Sequence, residues 1–92
     1  MINIATSASV SVTTTPVRID NLPGLHQGNT IIVRNGSSTA TEVVNLGGDS
    51  VSASQGYALA AGAQLQIGRE PLWAVRNSSA TGNIPVSVLS LT

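Results

Sequence analysis

Residues 1–15 read MINIATSASVSVTTT, and this stretch carries the clearest structural signal in the chain. Its even positions are apolar or small, with Thr6 and Thr14 in the same row, and its odd positions are polar except for Ala5. Alternation with a period of two is typical of a β-strand that buries one face. The stretch contains no charge and no proline, so it lacks the usual protection of an edge strand against pairing.

Two interpretations of this stretch remain open. Residues 9–15 are expected to pair within the chain's own sheet, whereas residues 1–8 are expected to form an arm that adds to a neighbouring subunit or another surface. The apolar row supplies four candidate partner-binding residues, which are Ile2, Ile4, Val10 and Val12. We therefore divide the chain into an N-terminal arm or edge strand, 1–15, and a β-sandwich domain, 16–92.

The next strand signals lie in the middle of the chain. Thr30–Asn35 is predicted to be a central strand, because Ile31 and Ile32 point to opposite faces and make both of them apolar. The turn signal at positions 35 and 36 predicts a hairpin with a second strand over Thr41–Leu46. Residues 51–56 are rich in serine and are expected to form an exposed loop.

The C-terminal half continues the pattern with short strands separated by glycine and proline turns. Residues 57–61 are expected to be extended, and Ala63–Ile67 alternates cleanly. Pro85–Leu91 changes phase after Val88, which requires either a bulge or a strand end that is buried on both sides. Helix formers are sparse. The chain is thus predicted to be all-β, a single β-sandwich or jelly-roll-like domain of seven to eight short strands with an N-terminal arm or strand.

The composition narrows the function classes. The 92 residues allow one domain, and 9% of them are charged, against about 25% in an average soluble domain. Four Arg and no Lys give no electrostatic footprint for nucleic acid, so no nucleic-acid partner is expected. No Cys is present, no apolar stretch approaches the length of a membrane span, and no signal-peptide pattern opens the chain. No membrane partner is expected either.

Residues with catalytic or metal-binding chemistry are scarce. His26 is the only histidine, and no serine lies in a Gly-x-Ser-x-Gly elbow. One histidine and four separated carboxylates lack metal-ligand spacing, although a Ca²⁺ or Mg²⁺ held between subunits by Asp20 or Asp49 remains an alternative. We therefore expect no enzyme activity, no catalytic residue, no metal site and no cofactor.

Three further residues are candidates for partner binding, namely Tyr57, Arg69 and Trp73. Trp73 lies within an apolar strand, where core packing is the more common role of a tryptophan. On an outer face it would instead be a strong anchor for a partner, because Trp, Tyr and Arg dominate interface energetics.

The order of short motifs adds a family resemblance. The chain resembles small β-rich structural proteins of tailed bacteriophages, which include capsid decoration (cement) proteins and modules of head fibres or tails. The resemblance covers residues 11–91 and leaves residues 1–10 outside it. The runs that carry it are Pro16–Ile19, Ile31–Asn35, Val43–Gly48, Val51, Gly56, Leu59–Gly62, Leu65, Ile67 and Pro71–Val75.

The resemblance implies an all-β sandwich that assembles into trimers and has no enzymatic activity. The expected function is that of a decoration protein on the outer surface of a phage capsid, with the major capsid protein and further copies of itself as partners. The alternative is a head-fibre, spike or tail module that binds a host-surface glycan or receptor.

Overall fold

In the part of the chain that the structure describes, eight strands build two four-stranded antiparallel sheets. The computed structural model describes residues 5–25, 28–77 and 82–91, with Ala5 described by its backbone only. The first sheet has the order β1-β8-β3-β6, and the second has the order β2-β7-β4-β5. The strands are β1 (Ala5–Val12), β2 (Val17–Arg18), β3 (Thr30–Asn35), β4 (Val44–Gly47), β5 (Tyr57–Leu59), β6 (Gln64–Gly68), β7 (Trp73–Arg76) and β8 (Ile84–Leu91).

The path of the chain between the sheets defines the topology. Each connection between consecutive strands crosses from one sheet to the other, except the one from β4 to β5. Eight antiparallel strands with this order and these crossings form a jelly roll. The expected fold class, an all-β sandwich or jelly-roll-like domain, is therefore confirmed.

The core lies between the two sheets and is built from the inward rows of both. Its side chains are aliphatic, as expected from a sequence rich in β-branched residues, which pack well on a pleated surface. The buried members are Val12, Ile19, Ile31, Val33, Val44, Leu46, Leu59, Ala74, Ile84, Val86 and Val88.

The predicted hairpin of Thr30–Asn35 with Thr41–Leu46 is wrong. β3 pairs with β6 and β8 in the first sheet, whereas β4 belongs to the second sheet. The reason is the side chain of Asn35, which is fully buried. Its Nδ2 donates hydrogen bonds to the carbonyl oxygens of Glu42 (2.9 Å) and Leu59 (3.0 Å), and its Oδ1 accepts one from the Ser37 N–H (3.0 Å). These bonds guide residues 36–43 across to the second sheet instead of into a tight turn.

The arm predicted for residues 1–8 is corrected over its second half. Ala5–Ala8 pair with Val88–Leu91, in register with the rest of β1, so they form a strand of the chain's own first sheet. β1 does lie at the edge of that sheet, as the edge-strand interpretation expected. Residues 1–4, which include Ile2 and Ile4, lie outside the described residues.

Two other expectations are settled by the packing of loops and of β8. The loop over residues 51–56 is not fully exposed, because Val51 is only 6% exposed and its side chain lies over Gly47. β8 contains no bulge: its register is continuous from Ile84 to Leu91 with β1 and from Val86 to Leu91 with β3. The change of phase instead leaves Leu89 and Leu91 half-buried on the outer face, while Ser90 continues the buried row.

Candidate interaction surfaces

The outer face of the first sheet is the most distinctive surface of the described chain. Because side chains alternate along a strand, every second residue of β1, β8, β3 and β6 points away from the core. The resulting outer face is polar but carries a single charge, that of Arg34. Its residues after Ala5 are Ser7, Ser9, Ser11, Pro85, Ser87, Leu89, Leu91, Thr30, Ile32, Arg34, Gln64, Gln66 and Gly68.

An apolar centre lies within this outer face. Leu89 of β8 is directly opposite Ile32 of β3, and Ser7 of β1 is on the other side of Leu89. Together with the next row, Ser87 and Arg34, they border a shallow depression of about 180 Å³. The exposed lining of the depression is almost entirely apolar, although Ser7, Ser87, Gln64 and Arg34 are among the residues that line it.

The outer-face centre was not among the predicted partner-binding residues, but the sequence contains the signal for it. Ile32 made the second face of Thr30–Asn35 apolar, and Leu89 broke the alternation of Pro85–Leu91. Each is an apolar residue on the face opposite to the main apolar row of its strand. The register pairs the two across the sheet, which only the strand order could reveal.

A second cluster, Arg18, Asp20 and Trp73, lies on the second sheet. Arg18 of β2 is opposite Trp73 of β7, and its guanidinium carbon lies 5.4 Å from the centre of the indole ring, within cation–π range. Arg18 also donates two hydrogen bonds to Asp20, Nε to Oδ1 at 2.8 Å and a terminal N–H to Oδ2 at 3.0 Å. Oδ1 accepts a further bond from the Leu72 N–H at 3.0 Å. The cluster therefore fixes β2 against β7.

The protonation of Asp20 follows from these contacts. Burial raises the pKa of the carboxyl group. Hydrogen bonds from Arg18 and from backbone N–H groups, together with the charge of Arg18, lower the pKa by more than burial raises it. The net pKa is below the ordinary value of 3.8. With its side chain 6% exposed and its oxygens engaged by Arg18 and Leu72, Asp20 does not present a cation ligand at the surface. Asp49 is exposed.

Substitution of Asp20 tests this pairing. Asp20→Asn is expected to lower the free energy of unfolding by about 1.5–3 kcal/mol at pH 7, the usual contribution of hydrogen bonds to charged groups. Because the pKa of Asp20 is depressed in the folded state, its contribution is present above the unfolded pKa and is lost as pH falls through the folded pKa. Urea unfolding should therefore show the gap between wild type and variant narrowing below about pH 4.

The matched control is Asp49→Asn, which removes an exposed carboxylate and should change stability by less than about 0.5 kcal/mol. Equal losses for the two variants, or a gap for Asp20→Asn that does not depend on pH, would contradict the assigned ion pair.

The predicted partner-binding residues are not gathered into one patch. Val10 is half-buried against the core and Val12 is 0% exposed, so the assignment of Val12 to a partner surface is corrected: the edge strand turns its apolar row inward. Arg69 lies after β6, where its guanidinium donates to Ser90 Oγ at 3.4 Å. Tyr57 is 59% exposed on β5, and Trp73 is half-buried under Arg18.

The two aromatic side chains lie on opposite faces of the second sheet. Tyr57 is in register with Leu46, which points into the core, and Leu46 is in register with Ala74 of the core. Trp73 precedes Ala74 and therefore points to the outer face. The two rings do not form a common platform of the kind that carbohydrate-binding sites use.

The search for other sites covers the described ranges alone. In those ranges no group of three or more His, Asp or Glu side chains could hold a metal ion. His26 lies outside them. Residues 5–25, 28–77 and 82–91 contain no helix long and apolar enough to cross a membrane. In comparisons with protein families, curated proteins and solved structures, the chain matches none of them.

Proposed function

We propose that this chain is a non-enzymatic structural protein of a virion, a capsid decoration (cement) protein that binds the assembled head of a tailed phage as a trimer and stabilises it. Its place would be the outer surface of the capsid, and its partners would be the major capsid protein and further copies of itself. Residues 11–91 supply the sequence resemblance on which the phage assignment rests.

One structural observation carries the proposal of an assembly role. The outer face of the first sheet has an apolar centre at Ile32 and Leu89 and a single charge at Arg34. A solvated surface normally carries interspersed charges of both signs, and a surface with little charge promotes association. Small hydroxyl and amide side chains surround this centre, so a partner that packs on it would meet one charged group of this face, Arg34.

The jelly roll supports the proposal in a weaker way. Viral capsid and lectin domains both use this fold, but a fold alone does not fix a function. The glycan-binding alternative gains least from the structure, since its two candidate aromatics, Tyr57 and Trp73, point to opposite faces of the second sheet.

The proposal predicts that capsids gain stability from the added protein. A protein that binds the assembled shell and not its separated subunits stabilises the shell by mass action, by about 2.7 kcal/mol per site at a hundred times the dissociation constant. We expect undecorated heads to disassemble at a higher temperature after this protein is added, with saturation at hundreds of copies per particle. Light scattering during heating and quantitative gels of the particles measure both quantities.

The control is an equal concentration of an unrelated neutral protein, which should leave the disassembly temperature unchanged. A handful of copies per particle with no stabilisation would contradict the cement function and would favour the fibre, spike or tail alternative. Retained binding of the free protein to host-surface glycans, lost in Trp73→Ala or Tyr57→Ala, would favour that alternative directly.

A further inference from the structure

Tyr57 has a large aromatic side chain that stays mostly exposed in the described part of the chain. At 59% exposure it is the exposed large hydrophobic residue of the described ranges. It begins β5, the edge strand of the second sheet, and is on the same side of that sheet as the buried Leu46 and Leu59. Among the described residues no strand lies beyond β5 in this sheet, and the ring of Tyr57 stays exposed although Leu59, on the same side of the strand, is buried.

The depression on the outer face of the first sheet has the size and chemistry to bind such a ring. Its volume of about 180 Å³ is of the order of one aromatic side chain, and its centre is aliphatic at Ile32 and Leu89. Ser87, Gln64 and Arg34 lie around it and can hydrogen-bond a phenol. Arg34 is exposed and makes no side-chain hydrogen bond or ion pair with the described residues, so its guanidinium can stack on an incoming ring.

We propose that the depression between Ile32, Leu89 and Arg34 binds the Tyr57 side chain of a second copy of this chain. The charges are complementary, because the cation of Arg34 meets the electron-rich face of the tyrosine ring and the described residues place no second cation on the outer face. Tyrosine is also enriched at the centres of interfaces, where one end of the ring is apolar and the other is hydrogen-bonded.

The area of the contact sets its expected strength. With about 3.3 Å per residue and about 4.8 Å between strands, the whole outer face measures about 450 Å². The contact centres on the depression, where burial of the tyrosine accounts for about 150–250 Å². A total below about 1,000 Å² is typical of weak association, so the oligomer is expected at high protein concentration.

The contact joins two different surfaces, so it is head-to-tail. Such contacts close into a ring when the rotation between copies allows it and otherwise build a filament. A rotation of 120° between copies would give the trimer of the proposed function. The inference rests on that function only for the number of copies in the oligomer. The association itself is a property of the free protein.

Sedimentation velocity of the full chain tests the pairing. We expect the wild type to sediment as an oligomer and Tyr57→Ala to associate at least about 30-fold more weakly, the change typical of a lost hot-spot aromatic. Tyr57→Phe, which keeps the ring and loses the hydroxyl, should weaken association between about two- and tenfold. Ser87→Trp fills the depression and should also prevent association, whereas Ser11→Trp adds the same bulk to the same face outside the depression and should not.

Mixing two variants supplies the decisive measurement. Tyr57→Ala retains an open depression and Ser87→Trp retains Tyr57, so an equimolar mixture should form a one-to-one complex that neither variant forms alone. This result would not arise from misfolding, since a misfolded variant could not restore association in the other. A monomeric wild type, an unchanged mass for either variant, or a mixture that stays monomeric would overturn the inference.

The outcomes also separate this inference from the proposed function. A free oligomer that depends on Tyr57 and the depression, in a protein that fails to bind phage heads, would support the contact and sink the cement function. Stabilised heads with a wild-type oligomer that is insensitive to Tyr57→Ala would support the function and overturn the contact.

Discussion

Asn35→Asp is expected to lower the free energy of unfolding by about 4 kcal/mol at pH 7, within the range found when a buried charge is left uncompensated. Per-residue scaling gives a domain of 92 residues about 5–14 kcal/mol in total, so this single exchange of an amide for a carboxylate should remove about a third or more of the stability. The large effect comes from the direction of the hydrogen bonds and not from any change of shape.

The donors of the Asn35 amide explain the size of this effect. Nδ2 donates to two backbone carbonyl oxygens, those of Glu42 and Leu59, and a carboxylate in its place would face both oxygens with no proton to donate. Ser37 would remain as a donor to the other oxygen, but its hydroxyl is hydrogen-bonded to the Glu42 carboxylate, which brings a like charge close to the introduced one. Both repulsions act in a site that is 0% exposed to water.

The loss should depend on pH with a definite sign. Burial beside carbonyl oxygens raises the pKa of the introduced carboxyl group above its unfolded value of about 3.9. The penalty is therefore complete above the folded pKa and becomes smaller as pH falls toward about 4. A remainder persists there, since a protonated carboxyl has one donor where the amide has two.

Urea unfolding at pH 7 and pH 5 measures this prediction, with wild type at the same pH as the reference. Asn83→Asp is the matched control, because Asn83 is exposed and the same exchange there should change stability by less than about 0.5 kcal/mol. A loss for Asn35→Asp as small as that of the control would show that the amide does not hold the connection from β3 to β4.

Asn35 also shows where sequence reasoning reached its limit. Asn followed by Gly is a strong turn signal, and it predicted a local hairpin. Asparagine can equally serve as a substitute for backbone hydrogen bonds within the fold, as Asn45 and Asn77 also do through Ser52 O, Val43 N and Thr41 O. The two roles look alike in a single sequence, because the partners of Asn77, for example, are 34 and 36 residues away.

The strands themselves were largely predictable, and their pairing was not. Alternation marked β1, β6 and most of β8 because one face of each is covered by the core. Alternation says which residues share a face but does not say which strand lies alongside. The outer-face centre depends on that missing information, since Ile32 and Leu89 are 57 positions apart and meet only because β8 inserts between β1 and β3.

The predicted partner-binding residues differ in burial, and two of them show how the fold decides this. Val12 was assigned to a partner because the edge strand lacked protection, but the jelly roll turns its apolar row to the core. Tyr57 remains a candidate since it belongs to an inward row at the unpaired edge of β5. An inward row thus gives a core residue in one edge strand and an exposed ring in another, so the row and the edge position together do not determine burial.

The glycines of the β4–β5 connection and of the turn after β5 should show three graded effects on substitution by alanine. Gly48→Ala is expected to change stability by no more than about 0.5 kcal/mol, because a Cβ there meets nothing within 4 Å and the backbone needs no positive φ. Gly62→Ala should cost about 1–2 kcal/mol, since a φ of 77° is strained for alanine although the space is open.

Gly56→Ala should cost about 3–4 kcal/mol because strain and overlap act together. Its φ is 143°, and a Cβ would lie 2.8 Å from the carbonyl oxygen of Leu46 and 2.7 Å from Val51 Cγ2. Val51 could in principle rotate, but the Leu46 carbonyl belongs to the ladder in which Leu46 pairs with Tyr57. Relief of the overlap therefore has to displace β5 from β4.

Thermal unfolding of the three variants measures this order. Gly48→Ala gives the effect of the substitution alone, and Gly62→Ala gives the effect of backbone strain without overlap. A loss for Gly56→Ala no larger than that for Gly62→Ala would mean that β5 can move away from Leu46 at little cost. That outcome would also bear on self-association, since Tyr57 follows Gly56 directly and its ring would then have no fixed position from which to enter a second copy.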